Sequence, residues 1–176
     1  MSRSSLPDLS ADNLDVVFCG LNPSLGAART GHHFENRSNR FWRVLHLEGF
    51  TGTLLDATDD RRLLDYGCGL TTLAARPTAS AGGLARDDYV AAGPALEAKI
   101  RAWRPRVTAF LGKPGYAALT GRRQVDWGAQ VEVFGGAAVW VLPNPSGRNR
   151  AFSLPQLVNA YRPLREALDG GQRLRA

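Results

Sequence analysis

DVVFCGLNPS, residues 15–24, runs an almost unbroken apolar, β-favouring segment into an abrupt Asn-Pro. A strand with one wet face alternates polar and apolar residues, whereas DVVFCG does not, so it reads as a strand buried on both faces of a parallel sheet. VTAFLG, residues 107–112, repeats the pattern, and AVWVLPN, residues 138–144, is as apolar and ends in a second Asn-Pro. QVEVFGG, residues 130–136, pairs with it in a hairpin-like arrangement.

The segments between these strands carry helical periodicity. Ser38 is placed to cap a helix that shows Phe41, Trp42, Val44 and Leu45 on one face and ends near Gly49. DDRRLLDYGCG reads as a short helix stopped by Gly67, and residues 88–103 as a longer one that restarts at Pro94 and is blocked by Pro105. GKPGYAALTG looks like a glycine turn entering a helix. A final helix starts at Ser153, carries a stripe of Leu157, Val158, Tyr161, Leu164 and Leu168, kinks at Pro163 and stops at Gly170. Buried strands alternating with amphipathic helices make βαβ units, so the expected class is α/β, three-layer, with a mostly parallel central sheet flanked by helices. A flexible N-terminal tail over 1–14, one domain over 15–170 and a C-terminal tail over 171–176 complete the expectation.

Ligands of such folds sit at the carboxyl ends of the strands. LNPS, LGKPG and LPNPSGRNR each follow a strand directly, and so should converge on one edge. Residues 143–150 hold two prolines, two asparagines, two arginines, a serine and a glycine, which neither helix nor strand interiors accept. Asn22 offers a carbonyl oxygen that accepts from a water and an NH2 that donates to a ligand, but it cannot take a proton. Hydrolysis centred on it would rest on positioning a water and forgo the roughly 10²- to 10⁴-fold of a general base.

The chain has 22 Lys+Arg against 16 Asp+Glu, a net charge of +6, and Lys occurs at 99 and 113 alone. Arginine's planar fork suits phosphates and base edges, which favours nucleic acid as partner, although genome base content also produces arginine-rich chains. Cys19 and Cys68 lack the spacing of a zinc or iron-sulfur site and read as small buried hydrophobes. No secretory h-region or membrane-length apolar run is present, so the expected location is cytoplasmic, with nucleoid-associated activity in a bacterial-type cell.

GLNPS at 20–24, TGHHF at 30–34, NRFW at 39–42, LLDYGCG at 63–69, RPT at 76–78 and LPNPSGRNR at 142–150 resemble, in order, the motifs of the mismatch-specific uracil-DNA glycosylases and their thymine-DNA glycosylase relatives. The resemblance spans residues 15–168 and implies a uracil-DNA glycosylase-like fold. It implies that Asn22 holds the water attacking C1′, that Phe34 stacks on the extruded base, and that backbone near Leu21 and in the 27–34 loop reads the pyrimidine edge. Asn144, Ser146, Gly147, Arg148, Asn149 and Arg150 would then form a wedge that enters the duplex and meets the opposing guanine, Gly147 letting the backbone approach the bases.

Three departures stand out. Ser24 replaces the usual Gly and would narrow the pocket or add a hydroxyl; Arg148 replaces a frequent Leu at the wedge; Ala27, His32 and His33 look more like the thymine-DNA glycosylases. Charge that develops on the sugar invites a carboxylate, for which Asp87 and Asp88 are candidates together with Glu35. Helix-start capping is the competing role for the Asp pair. Arg37, Arg40, Arg43, Arg86, Arg122 and Arg123 are candidates for a phosphate-gripping rim.

The implied activity is that of a monofunctional glycosylase. It would release uracil, and possible further substrates such as thymine, from G:U or G:T mismatches in double-stranded DNA, acting as a monomer without metal or cofactor. Two alternatives remain: a mismatch or abasic-site binding module with negligible turnover, and a hydrolase of free nucleosides for which the arginine-bearing loop has no purpose.

Overall fold

The computed structural model describes residues 6–173. Five strands form one sheet in the order β2-β1-β3-β5-β4: β1 is Val16–Gly20, β2 Cys68–Thr72, β3 Val107–Leu111, β4 Gly128–Phe134 and β5 Ala137–Leu142. All neighbours run parallel except β4, which is antiparallel to β5 at the edge. The mostly parallel sheet and the three layers agree with the sequence pattern.

The unbroken apolar strands divide their side chains between two cores. Val16 and Phe18 of β1 pack with Phe41, Leu157 and Tyr161 on one face, while Val17 and Cys19 pack with Leu96, Ile100 and Tyr116 on the other. One layer is therefore built by α2 (Phe41–Leu47) and α5 (Leu154–Arg173), and the opposite layer by α3 (Arg86–Trp103) and α4 (Lys113–Thr120). Phe18 alone, fully buried, contributes about 2–3 kcal/mol of transfer free energy. Both cysteines are free and buried; burial pushes the Cys68 thiol up to about 12 and Cys19 higher still, so neither is a ready nucleophile.

Several expectations need correction. Two elements carry no local signal: α1 (Leu25–Thr30), between the LNPS and TGHHF motifs, and β2, whose CGLTT follows a glycine and looks like the end of a helix. The 57–66 segment is a 3-10 helix, closed as expected by Gly67 in the left-handed region at φ 71°. Helix α2 is not capped by Ser38, whose N–H and hydroxyl both turn to Asn36 Oδ1; Asn39 Oδ1 accepts from Phe41 N instead. Helix α3 runs without a break past Pro94, because burial of Tyr89, Leu96 and Ile100 on its inner face outweighs the hydrogen bond the proline removes. Helix α5 contains Pro163, and it passes Gly170, its expected stop, to reach Arg173. There the Arg106 guanidinium lies where a Gly171 side chain would be and donates to the Leu168 carbonyl.

Residues 6–14 are not a tail. Leu9 exchanges two 2.9 Å backbone hydrogen bonds with Leu70, and Asp8 accepts from Thr71 Oγ1 and pairs with Lys99 at 2.7 Å. Leu9 and Leu14 are buried. The remaining tail positions, 1–5 and 174–176, lie outside the described residues.

Candidate active site

Backbone pairing continues past the strand ends. Leu73 N donates to Gly20 O, Ala74 N to Leu21 O and Thr78 N to Pro23 O, so the loop after β1 is zipped along the loop after β2. That pairing places Asn22 beside Arg76 and Thr78. The Thr78 hydroxyl donates its one hydrogen to Ser80 O at 2.5 Å, so toward Asn22 it can only accept. The amide is thereby fixed: Nδ2 donates to Thr78 Oγ1 at 2.7 Å and to Arg76 O at 2.9 Å. Both N–H groups are taken up, and the NH2 expected to meet a ligand is instead a structural brace. Oδ1 is left as the free polar atom of Asn22, an acceptor for a water.

Asn22 lines a cavity of about 190 Å³ together with Leu21, Ser24, Ala27, His33 and Phe34. At roughly 30 Å³ per water, that is room for a flat ring rather than a single solvent molecule. Asn144, Ser146, Gly147 and Arg148 close the same cavity from the loop after β5, so the predicted convergence of loops at one sheet edge holds. The loop after β3 joins by packing: a side chain at Gly112 would touch Asn144 and Leu21 at 3.8 and 4.0 Å.

Phe34 adopts φ 52°, the left-handed region that non-glycine residues rarely occupy. The turn lays its half-buried ring 4.2 Å from that of Phe41 and against Gly20, while Trp42 Nε1 donates to its carbonyl. Ser24 is the N-cap of α1: its hydroxyl accepts from Ala27 N at 2.9 Å and donates to Glu35 Oε1 at 3.1 Å. Its presence therefore has a helix-capping cause, and the Ala27 N–H is not open to a ligand.

His33 is no surface histidine; it is 2% exposed and its Nε2 donates to Pro7 O at 2.7 Å. Burial lowers its pKa below the ordinary value, partly offset by that carbonyl. The folded state thus binds its proton less tightly than the unfolded chain, so His33 contributes stability above pH about 6.5 that is lost as pH falls. Thermal melts should show a wild-type midpoint that drops between pH 7 and pH 5 by more than that of His33→Gln; equal drops would remove this histidine from the acid transition.

Asp87 and Asp88 are not among the residues that line the cavity. Asp88 Oδ2 accepts from Ala85 N at 2.8 Å and pairs with Arg76 at 3.2 Å, the work of a helix-start carboxylate. Base release by Asp88→Asn should stay within about twofold of wild type, and stability should fall by about 0.5 kcal/mol for a pair this exposed. A tenfold slower release would return Asp88 to the reaction.

The loop after β5 is organised by a residue that sequence reasoning placed elsewhere. Arg40 is not a phosphate-gripping side chain: its guanidinium donates to the carbonyls of Pro145, Ser146, Asn149 and Phe152. Tyr161 Oη, fully buried, donates to Pro143 O at the loop's base. Within the loop Asn144 Oδ1 accepts from Ser146 N, Ser146 Oγ from Arg148 N, and Asn149 Nδ2 donates to Asn144 O. Gly147 is required from inside the protein, since a Cβ there would lie 2.6 Å from Ser38 O. Arg148 and Arg150 are exposed, and among the described residues neither side chain has an ion pair or hydrogen bond. Of the other rim candidates Arg122 pairs with Glu132, while Arg37, Arg43, Arg86 and Arg123 are exposed. No helix among the described residues is long and apolar enough to cross a membrane.

The comparisons with known proteins agree with this fold. The solution NMR structure of a candidate uracil DNA glycosylase from Methanosarcina acetivorans is similar in fold, with TM-score 0.59 and 18% identity over 94% of this chain and 99% of that one. The model of the uracil DNA glycosylase superfamily matches residues 7–168, and over that span, nearly its whole length, the chain belongs to this superfamily of DNA N-glycosyl hydrolases.

Proposed function

We propose that this glycosylase releases uracil mispaired with guanine, with the water held by Asn22 and the partner strand met by the Asn144–Arg150 loop. The observation that carries the reading is the state of Asn22, which lines the same cavity as Phe34 and Arg148: both its N–H groups are taken up by Arg76 O and Thr78 Oγ1, and Oδ1 is left without a partner among the described residues. In the reaction the N-glycosidic bond breaks with its electron pair leaving on the base, and the sugar becomes cationic. The water oxygen bonds to C1′ and its proton passes to the departing base or to solvent. An acceptor at the water orients it without removing that proton beforehand. Extrusion is needed because the glycosidic bond is out of reach inside the stack, and a mispaired base costs less to open.

Thymine is a second expected substrate, on the histidine-bearing loop, and a monomer with no metal or cofactor suffices for this chemistry. Arg148, which lines the cavity, and the exposed Arg150 of the same loop supply a salt-sensitive grip on the duplex. Single-turnover base release from G·U, A·U, G·T and single-stranded uracil substrates tests the reading. Release from G·U well above A·U is the expected result; equal release from every uracil substrate would remove the guanine-reading role, and tight binding without release would favour a mismatch-binding module.

A further inference from the structure

An extruded uracil presents a carbonyl, a ring N–H and a second carbonyl along its pairing edge, so its pocket must supply an acceptor between donors. Three main-chain carbonyls of residues lining the cavity each already accept a hydrogen bond, and the Asn22 Oδ1 is committed to the water in the proposed reaction. Gly20 O accepts from Leu73 N, Leu21 O from Ala74 N, and Phe34 O from Trp42 Nε1. Backbone donors of the 27–34 segment are also occupied in part: Ala27 N by Ser24 Oγ, Ala28 N by Ser24 O and Gly31 N by Ala27 O.

Glu35 is different. It follows Phe34 directly, lines the cavity, and is the one carboxylate that does so among the described residues. Oε1 is held by the Ser24 hydroxyl at 3.1 Å, and among the described residues no partner is bonded to Oε2. The carboxyl group lies over Gly26, which has no side chain to meet it. On either side in sequence, Asn36 and Asn39 line the same cavity with their Oδ1 atoms already accepting from Ser38 and Phe41, which leaves both Nδ2 groups as donors.

We infer that Glu35 is the specificity-determining acceptor of the pocket, taking the ring N–H of bases in which that N–H is flanked by carbonyl, with Asn36 and Asn39 as donors to the oxygens. This rests on the proposed glycosylase reading and names the substrate class of the same site: lactam and imide bases are admitted, and bases with a bare ring nitrogen in that place are refused. A carboxylate facing such a lone pair would be left with two acceptors opposed.

Free-base probes separate this inference from the reading beneath it. 1-Methyluracil keeps the ring N–H and mimics the glycosidic substituent, whereas 3-methyluracil lacks it. Inhibition of single-turnover uracil release by wild-type enzyme should favour 1-methyluracil by about tenfold or more, the worth of one charge-assisted hydrogen bond. In Glu35→Ala the preference should fall below about threefold, and Glu35→Gln, whose amide can still turn an oxygen to the base, should lie between. Direct binding of both probes, followed by ligand-observed NMR, gives the same comparison without turnover. A Glu35→Ala protein that still melts cooperatively and keeps the full preference would overturn the inference. Wild-type protein that releases uracil from no substrate, yet discriminates the two probes through Glu35, would instead overturn the glycosylase reading and leave the acceptor role standing.

Discussion

Asn22→Ala is expected to lower single-turnover uracil release by about 10²- to 10⁴-fold, the range over which positioning a reactant changes a rate, while duplex affinity stays within about threefold. Oδ1 is the atom that matters, because the two N–H groups of Asn22 already point into the protein. Alanine removes the acceptor at the water and also leaves Arg76 O and the Thr78 hydroxyl short of a donor. Some loosening of the 76–80 loop should accompany the loss. Asn22→Asp separates the two effects. It keeps an acceptor but cannot donate to Arg76 O, so it should recover part of the rate and none of the bracing. Burst measurements with enzyme in excess check both variants; an Asn22→Ala enzyme at full single-turnover rate would assign the water to another residue.

Arg40→Ala is expected to have the largest effect on stability and to abolish discrimination of the opposing base. Four carbonyls of the 145–152 segment share its guanidinium, and its own backbone N–H donates to Pro145 O at 3.0 Å. Removing one side chain therefore strands several part-buried acceptors at once, at a cost of about 2–4 kcal/mol. For a chain of this size the melting midpoint should fall by about 5–15 °C. Arg40→Lys should not rescue it, because a single ammonium cannot reach four oxygens spread along a loop. With the loop unanchored, Arg148 no longer has a defined place at the cavity, and the ratio of G·U to A·U release should approach one. A melt unchanged from wild type would show that the loop holds its shape through Tyr161 and its own Asn and Ser bonds alone.

The roles of Arg40, Thr78 and Gly147 show where the sequence stops being legible. Arg40 sits in a recognisable NRFW motif, but its partners are more than a hundred residues away, and an arginine in a basic chain reads by default as a solvated side chain, with the phosphate rim as its functional alternative. Thr78 belongs to the RPT motif, yet its role depends on hydrogen direction: it accepts from Asn22 because Ser80 O takes its proton. Gly147 was assigned to an approach toward bases, and the close neighbour is Ser38 of its own chain. Helix α1 and strand β2 were missed for a local reason, since each is short and starts or ends in glycine or serine, where turn chemistry and element boundaries look alike.

Apolar continuity in DVVFCG, VTAFLG and AVWVLPN, which a half-wet strand does not show, was enough by itself to determine a covered parallel sheet, and with it the meeting of the LNPS and LPNPSGRNR loops at one edge. The helices of the two outer layers were legible for the same reason: burial of one face imposes a period that is written locally. What the tertiary structure alone decided is which polar groups remain free. Among the described residues Asn22 Oδ1, Glu35 Oε2 and the Arg148 guanidinium are open, whereas the Asn22 NH2, Asp88 and Arg40 are occupied. Hydrogen-bond capacity is exhausted by neighbours in space, and those neighbours lie 54 to 112 positions away for Asn22 and Arg40; no period or composition in the chain records them.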